Sequence, residues 1–161
     1  MGSGKTTIGR RLADRLDRPF VDNDVVLEQR SGRTAAEIAR DDGVDDLHAR
    51  EAGVLRDALD AGRAAVITAA ASTVTDTALR ARLHDEAFVV WLTAAPETLA
   101  RRTATTMTGR PRLGEDPLAL AEQQRIERDP LFAEVADLLV ATDGTVESVV
   151  ADVVANLPRD T

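Results

Sequence analysis

Cysteine is absent from this 161-residue chain. Disulfide frameworks, zinc ribbons and thiol catalysis are therefore excluded. Tyrosine is absent too, and one tryptophan and three phenylalanines are the whole aromatic content. So few scattered rings make no base-stacking platform for a single-stranded nucleic acid. The two histidines, His48 and His84, are too few for a histidine-built metal site. Apolar runs such as residues 87–92 fall far short of the roughly 20 residues that span a bilayer. No charged segment followed by an apolar one reads as a leader. Positive charge is scarce: 20 basic residues face 28 acidic ones, for a net charge of −8. A broad basic face for duplex nucleic acid is thus excluded, whereas a local cationic pocket for phosphate is not. With 43% hydrophobic and 30% charged residues the balance is globular, and the length fits one domain. The expected class is a cytoplasmic enzyme, monomeric, with a small-molecule substrate and neither nucleic-acid nor membrane partners.

The basic residues hold one oddity. All but one are arginine, and the single lysine, Lys5, stands in Gly2-Ser3-Gly4-Lys5-Thr6-Thr7. A compact ammonium on a flexible stem suits a point charge between phosphates. The phosphate-loop pattern is G-x-x-x-x-G-K-[ST], and Gly4-Lys5-Thr6 is its second half. Its first glycine would lie five residues before Gly4, ahead of Met1. Behind the motif, Ile8, Leu12 and Leu16 recur every four residues, so residues 5–16 form an amphipathic helix. The glycines then sit at a helix N-terminus, where free N–H groups and the helix dipole favour an anion. In such a loop Lys5 neutralises the β- and γ-phosphates, the Thr6 hydroxyl ligates Mg²⁺ and Thr7 reaches the α-phosphate.

Strands and helices alternate along the rest of the chain. Strands are predicted at 19–22, 64–68, 87–92 and 138–141. Helices are predicted at 25–30, from the capping-box pattern at Thr34 and Glu37 to Arg40, at 45–61, 77–83, 96–103 and 117–127, with a further turn at 131–135. In the closing helix Val146, Val149, Val150, Val153, Val154 and Leu157 make one apolar stripe. Residues 105–116 lack periodicity and read as a mobile loop. The expected fold is α/β, a three-layer sandwich around a parallel sheet. Asp22 and Asp24 fall at the end of the second strand, where open α/β sheets bind ligands. One carboxylate would hold Mg²⁺ through water and the other accept a hydroxyl proton. A solvated loop with helix-capping aspartates is the alternative.

The run from Gly2 to Ala13, then Val21-Asp22-Asn23-Asp24, Glu28-Gln29-Arg30-Ser31-Gly32-Arg33 and Glu37-Ile38, resembles the opening of the shikimate kinase family. The likeness continues through Arg110-Pro111 and Arg128-Asp129-Pro130-Leu131-Phe132, covering nearly the whole chain. It implies transfer of the ATP γ-phosphoryl group to the 3-hydroxyl of shikimate, with ATP and Mg²⁺. The implied fold is of the phosphate-loop kinase type, with strand order 2-3-1-4-5 and a lid at about 105–116. Asp22 takes the magnesium side and Asp24 the acceptor hydroxyl. Arg110 matches the lid arginine on the phosphates, and Arg128 an arginine that binds the shikimate carboxylate. Arg102, by looser alignment, matches the arginine on adenine, with a solvated helix face as its alternative. A related kinase for another small acceptor, and a nucleotide-binding homologue without catalysis, are the other readings.

The chain departs from the family pattern in two places. His48 stands where a second carboxylate-binding arginine belongs, and Arg50, roughly 200° around the helix, does not substitute for it. Ala69, Ala70 and Ala71 replace three glycines after the third strand. Their methyls narrow the acceptor pocket around Ala70, and any left-handed backbone there would cost about 1 kcal/mol or more. The first, central strand is also missing from the N-terminus. The expectation is that Met1 is an internal methionine preceded by about ten residues, an apolar strand and then a glycine.

Overall fold

The computed structural model describes residues 4–94 and 117–158; for 117–122 and 124 it describes the backbone only. Helix α1, Lys5–Leu16, ends at Asp17, which turns left-handed at φ 50° so that the chain reverses through residues 17–19. Strand β1, Phe20–Asp22, then runs antiparallel to α1. Asp22 closes the strand and caps the next helix, α2, Asn23–Ser31. That helix starts two residues earlier than its apolar pattern indicates, because the cap is the aspartate and not a hydrophobic register. Thr34 and Glu37 form the reciprocal capping box that opens α3, Ala35–Asp41. The longest helix of this half, α4, is Val44–Asp60.

Strand β2, Val66–Thr68, pairs in parallel with β1, Asp22 lying opposite Thr68. A 3₁₀ turn, Ala71–Thr75, follows where the sequence pattern predicts no element. Asp76 accepts from the Ala78 and Leu79 N–H groups and so opens α5, Thr77–Glu86. Strand β3, Val90–Thr93, pairs in parallel with β4, Leu138–Ala141. The helix expected at 96–103 and the lid expected at 105–116 lie outside the described residues. Helix α6, Pro117–Val135, is continuous through Pro130, where two separate helical pieces were expected. Proline removes one helical hydrogen bond and strains the turn before it. Contacts beyond Pro130 offset that loss: Phe132 stacks on Trp91 with ring centroids 5.4 Å apart, and Glu134 pairs with Arg80 at 3.1 Å. Helix α7, Val146–Asn156, closes the fold.

Side chains alternate across each strand, and both faces are covered. On one face Ile8 and Leu12 of α1 and Val149, Val150 and Val153 of α7 pack with Val90, Leu92 and Val140. On the other, Ala52 and Leu55 of α4 and Leu79 and Leu83 of α5 pack with Ile67 and Val89. A third cluster, Leu27, Ile38 and Val54, joins α2, α3 and α4. The result is the three-layer α/β arrangement the alternation predicts. Among the described residues the sheet consists of two parallel pairs, β1-β2 and β3-β4. They are the 2-3 and 4-5 pairs of the resembled order, and no ladder joins β2 to β3. Helix α1 spans both pairs. Its Gly9 meets Phe20 and Thr68 on one side, and Ile8 packs beside Val140 on the other.

Candidate functional site

Because α1 and β1 run antiparallel across a short turn, the N-terminus of α1 and the C-terminus of β1 share one end of the molecule. The residues after β2 reach that same end. Every described residue singled out for chemistry therefore lies at the carboxyl edge of the strands or on a helix beside it.

Gly4 precedes α1 with φ 81°, a left-handed conformation that favours glycine. Lys5 is the first helical residue and is half-buried, while Thr6 and Thr7 are exposed. No acidic side chain occupies the first turn of α1, and no described side chain caps it. The early N–H groups are thus left to a ligand, and the dipole adds partial positive charge there. Gly2 and Ser3 lie outside the described residues, as do Arg102 and Arg110.

Asp22 divides its two oxygens. Oδ1 accepts from the N–H groups of Asp24 at 3.0 Å and Val25 at 3.5 Å. Oδ2 is buried with no hydrogen-bond partner, in a side chain on a residue only 7% exposed. Leaving a carboxylate oxygen unpaired is costly unless a cation or its water meets it. The capping alternative and the metal reading therefore both fit, one on each oxygen. Among the described residues no three or more His, Cys, Asp and Glu side chains form a metal cage. A phosphate-bound magnesium needs only one or two protein oxygens and keeps several waters, so Asp22 and the Thr6 hydroxyl fit that ion. Asp24 follows in the first turn of α2 and is exposed.

A further carboxyl, to which the sequence reading assigns no role, is buried on α4. Glu51 in α4 is 8% exposed. The Ser72 hydroxyl donates a short hydrogen bond to its Oε2. Its backbone carbonyl accepts from Asn23 Nδ2 at 3.0 Å. Burial pushes the Glu51 carboxyl above its usual range, while Ser72 pulls it back; the charges of His48 and Arg128 lower it and that of Asp24 raises it. Three expected acceptor residues, Asp24, His48 and Arg128, from α2, α4 and α6, thus act on one buried carboxyl. A signal for Glu51 does exist in the sequence. Leu47, Val54, Leu55 and Ala58 form the buried stripe of α4, and position 51 falls inside it. An ionisable residue on a buried stripe marks a site worth inspecting. Asn23 and Ser72 carry no such mark, since their role depends on which elements meet.

His48 is half-buried one turn before Glu51 on the same side of α4. Arg50 points elsewhere, bonding Asp46 at 2.5 Å and Asp42 at 3.2 Å. The segment after β2 is held firmly. Thr73 Oγ1 donates to the Ala70 carbonyl at 2.7 Å, and Arg80 donates to the Val74 carbonyl at 2.7 Å. Ala70 has φ −67°, and Asp17 is the one described non-glycine residue with positive φ. Alanine at 69–71 therefore carries no left-handed strain, and only the added methyls distinguish it from glycine.

A parallel α/β sheet covered on both faces, a lysine at an open helix N-terminus and a carboxylate pair at the strand edge define a phosphate-loop phosphotransferase. The shikimate kinase family model matches residues 1–158. The chain belongs to the shikimate kinase family, whose members use ATP as phosphoryl donor. A shikimate kinase of Symbiobacterium thermophilum is 41% identical over 98% of this chain and 91% of its own. One from Dechloromonas aromatica is 41% identical over 87% of this chain and 76% of its own. Among solved structures, shikimate kinase from Acinetobacter baumannii in complex with shikimate superposes with TM-score 0.83 at 31% identity. It covers 96% of this chain and 86% of that one. Shikimate kinase from Bacteroides thetaiotaomicron, at 24% identity, shares the fold with TM-score 0.85, covering 98% of this chain and 94% of that one.

Proposed function

We propose that this protein transfers the γ-phosphoryl group of ATP to the 3-hydroxyl of shikimate, giving shikimate 3-phosphate and ADP. The observation that supports the reading is the buried Glu51 carboxyl of α4, hydrogen-bonded by Ser72, on which the charges of His48, Asp24 and Arg128 act. Asp24 accepts the proton of the attacking hydroxyl. The hydroxyl oxygen bonds the γ-phosphorus as the bond to the β–γ bridging oxygen breaks. Lys5 and the N–H groups of Gly2, Ser3, Gly4, Thr6 and Thr7 cradle the phosphates, and Arg110 reaches them from a lid at 105–116. Arg102 packs on adenine. Arg128 and His48 hold the acceptor carboxylate above Ala70. Thr6 and Asp22 would hold Mg²⁺, which when bound would supply neutralisation of the phosphate charge.

The protein acts as a single-domain cytoplasmic monomer without nucleic-acid or membrane partners. The net charge of −8 disfavours polyanions, and among the described residues no helix is long and apolar enough to cross a membrane. A coupled ADP-release assay with ATP and shikimate tests the function. Turnover by the wild type is expected, with a loss on the order of 10²-fold or more in Lys5→Met. A Lys5→Met protein keeping more than about a tenth of wild-type turnover, well above that loss, overturns the phosphate-loop role. Turnover of a different hydroxy acid in place of shikimate overturns the acceptor.

A further inference from the structure

Arg80 of α5 has no part in the phosphoryl transfer above, yet its side chain is only 13% exposed. A charge held so far from water needs partners, and Arg80 has them on three elements. Nη1 donates to the Val74 carbonyl at 2.7 Å, in the 3₁₀ turn after β2. Nε donates to Glu134 Oε2 at 3.1 Å, near the end of α6. Nη2 donates to Thr77 Oγ1 at 3.5 Å, in the first turn of α5 itself. One planar fork thus grips the turn and α6 together, which the single nitrogen of a lysine does not reproduce. The 3₁₀ turn is also tied on its other side. Ser72 donates to the Glu51 side chain of α4, and Asn23 of α2 donates to the Glu51 backbone carbonyl at 3.0 Å. A line of hydrogen-bonded contacts therefore runs from α2 through α4, the turn and Arg80 to α6.

We propose that Arg80 is a positioning residue for the phosphoryl acceptor: by gripping Val74 and Glu134 at once it fixes α6, and with it Arg128, at a set spacing from the segment after β2. This rests on the reading above, in which Arg128 and Ala70 meet the acceptor. Glu134 follows Arg128 by six residues on one continuous helix, about 9 Å along its axis. Two contacts hold that last stretch of α6. The stacking of Phe132 on Trp91 is compatible with a range of ring offsets. The guanidinium fork fixes direction as well as distance. On the other side of the fork the turn holds Ala70, because Thr73 Oγ1 donates to its carbonyl at 2.7 Å. Without Arg80 α6 can slide on the stacked rings, and Arg128 then leaves the place where it meets the acceptor. Helix α1, which carries Lys5, packs on β1, β2 and α7, so the nucleotide end does not depend on this clip.

The test is steady-state kinetics with ATP and shikimate, below the melting temperature of every protein compared. The wild type, Arg80→Leu, Glu134→Ala and the double variant are measured. The KM for shikimate is expected to rise about tenfold in Arg80→Leu, the scale of one charge-assisted bond lost from the acceptor. In Glu134→Ala, where Arg80 keeps the Val74 carbonyl, a rise of about threefold is expected. The double variant should be no worse than Arg80→Leu, because members of one network do not act additively. The kcat and the KM for ATP should stay within about twofold of wild type, since uniform acceptor binding alone is lost. A merely structural role would lower Tm and leave the KM for shikimate where it was. A KM for shikimate unchanged in either single variant, or rising in step with the KM for ATP, overturns the inference. So does a double variant whose loss is the product of the two single losses. Glu134 is exposed, so Glu134→Ala decides by the same criteria if Arg80→Leu does not fold. Absence of shikimate turnover in the wild type overturns the acceptor reading and this inference with it.

Discussion

Gly9 sits in α1 one turn after Lys5, where the helix crosses the β1-β2 pair. A Cβ added there would lie 2.6 Å from Thr68 Cγ2 and 2.8 Å from Phe20 Cε2. Carbon atoms pack at about 3.5–4.0 Å, so something must yield by about 1 Å. The Phe20 ring is half-buried, with the Arg10 guanidinium 5.7 Å from its centroid, and has room to tilt. Thr68 does not: it is buried, paired with Asp22 in the ladder and β-branched, hence stiff at χ1. In Gly9→Ala the helix itself must therefore lift. Overpacking of this kind costs about 1–3 kcal/mol, against about 1 kcal/mol returned by alanine's helix propensity. The net loss is about 0–2 kcal/mol, and for a domain of this length each kcal/mol lowers Tm by about 2–4 °C. The larger consequence falls on Lys5, because misplacing a catalytic group by about 1 Å costs up to about 10²-fold. Thermal melts and ATP kinetics of Gly9→Ala should thus show a small stability loss and a disproportionate loss of kcat/KM for ATP. Adding Thr68→Ser deletes the obstructing methyl and should restore most of both. A Gly9→Ala protein with wild-type Tm and wild-type ATP kinetics would refute the close-approach argument. A double variant no better than the single one would show that Thr68 is not the obstacle.

Asp22→Asn separates the two oxygens of that side chain. Asparagine caps a helix as well as aspartate does, so Tm should change by less than the equivalent of about 0.5 kcal/mol. Phosphoryl transfer should fall, and the Mg²⁺ concentration for half-maximal rate should rise; unchanged kinetics would leave Asp22 a cap alone. Asp76→Ala probes the cap of α5. The Leu79 N–H, then Arg56, hold the Asp76 carboxyl below its usual range, against the opposing effect of burial. A depressed folded pKa adds stability above the unfolded value of about 3.8, lost as pH falls through the folded one. Chemical denaturation should therefore show Asp76→Ala about 1 kcal/mol less stable at pH 7 and level with wild type in acid. An equal deficit at both pH values would contradict this account.

Much of the molecule is legible in its sequence alone. Helices α1, α3 and α7 announce themselves through Ile8 and Leu12, the Thr34–Glu37 box and the valine stripe from Val146, because these signals are local and the backbone obeys them within one turn. The lone lysine between a glycine and two threonines marks the proposed nucleotide end for the same reason: a phosphate cradle is built from consecutive residues. Tertiary structure decided what local pattern cannot. Helix α6 runs through Pro130 because Phe132 meets Trp91 and Glu134 meets Arg80, contacts more than thirty positions away in sequence. Ala70 escapes left-handed strain because the 3₁₀ turn after β2 keeps its φ negative. Glu51 reads as one polar position in an apolar stripe until Asn23 and Ser72 close around it and Asp24, His48 and Arg128 bring their charges to it. A motif specifies which groups bind phosphate. Which carboxyl lies buried among which charges depends on how α2, α4, α6 and the segment after β2 pack together, and burial and charge at that junction set the protonation of its groups.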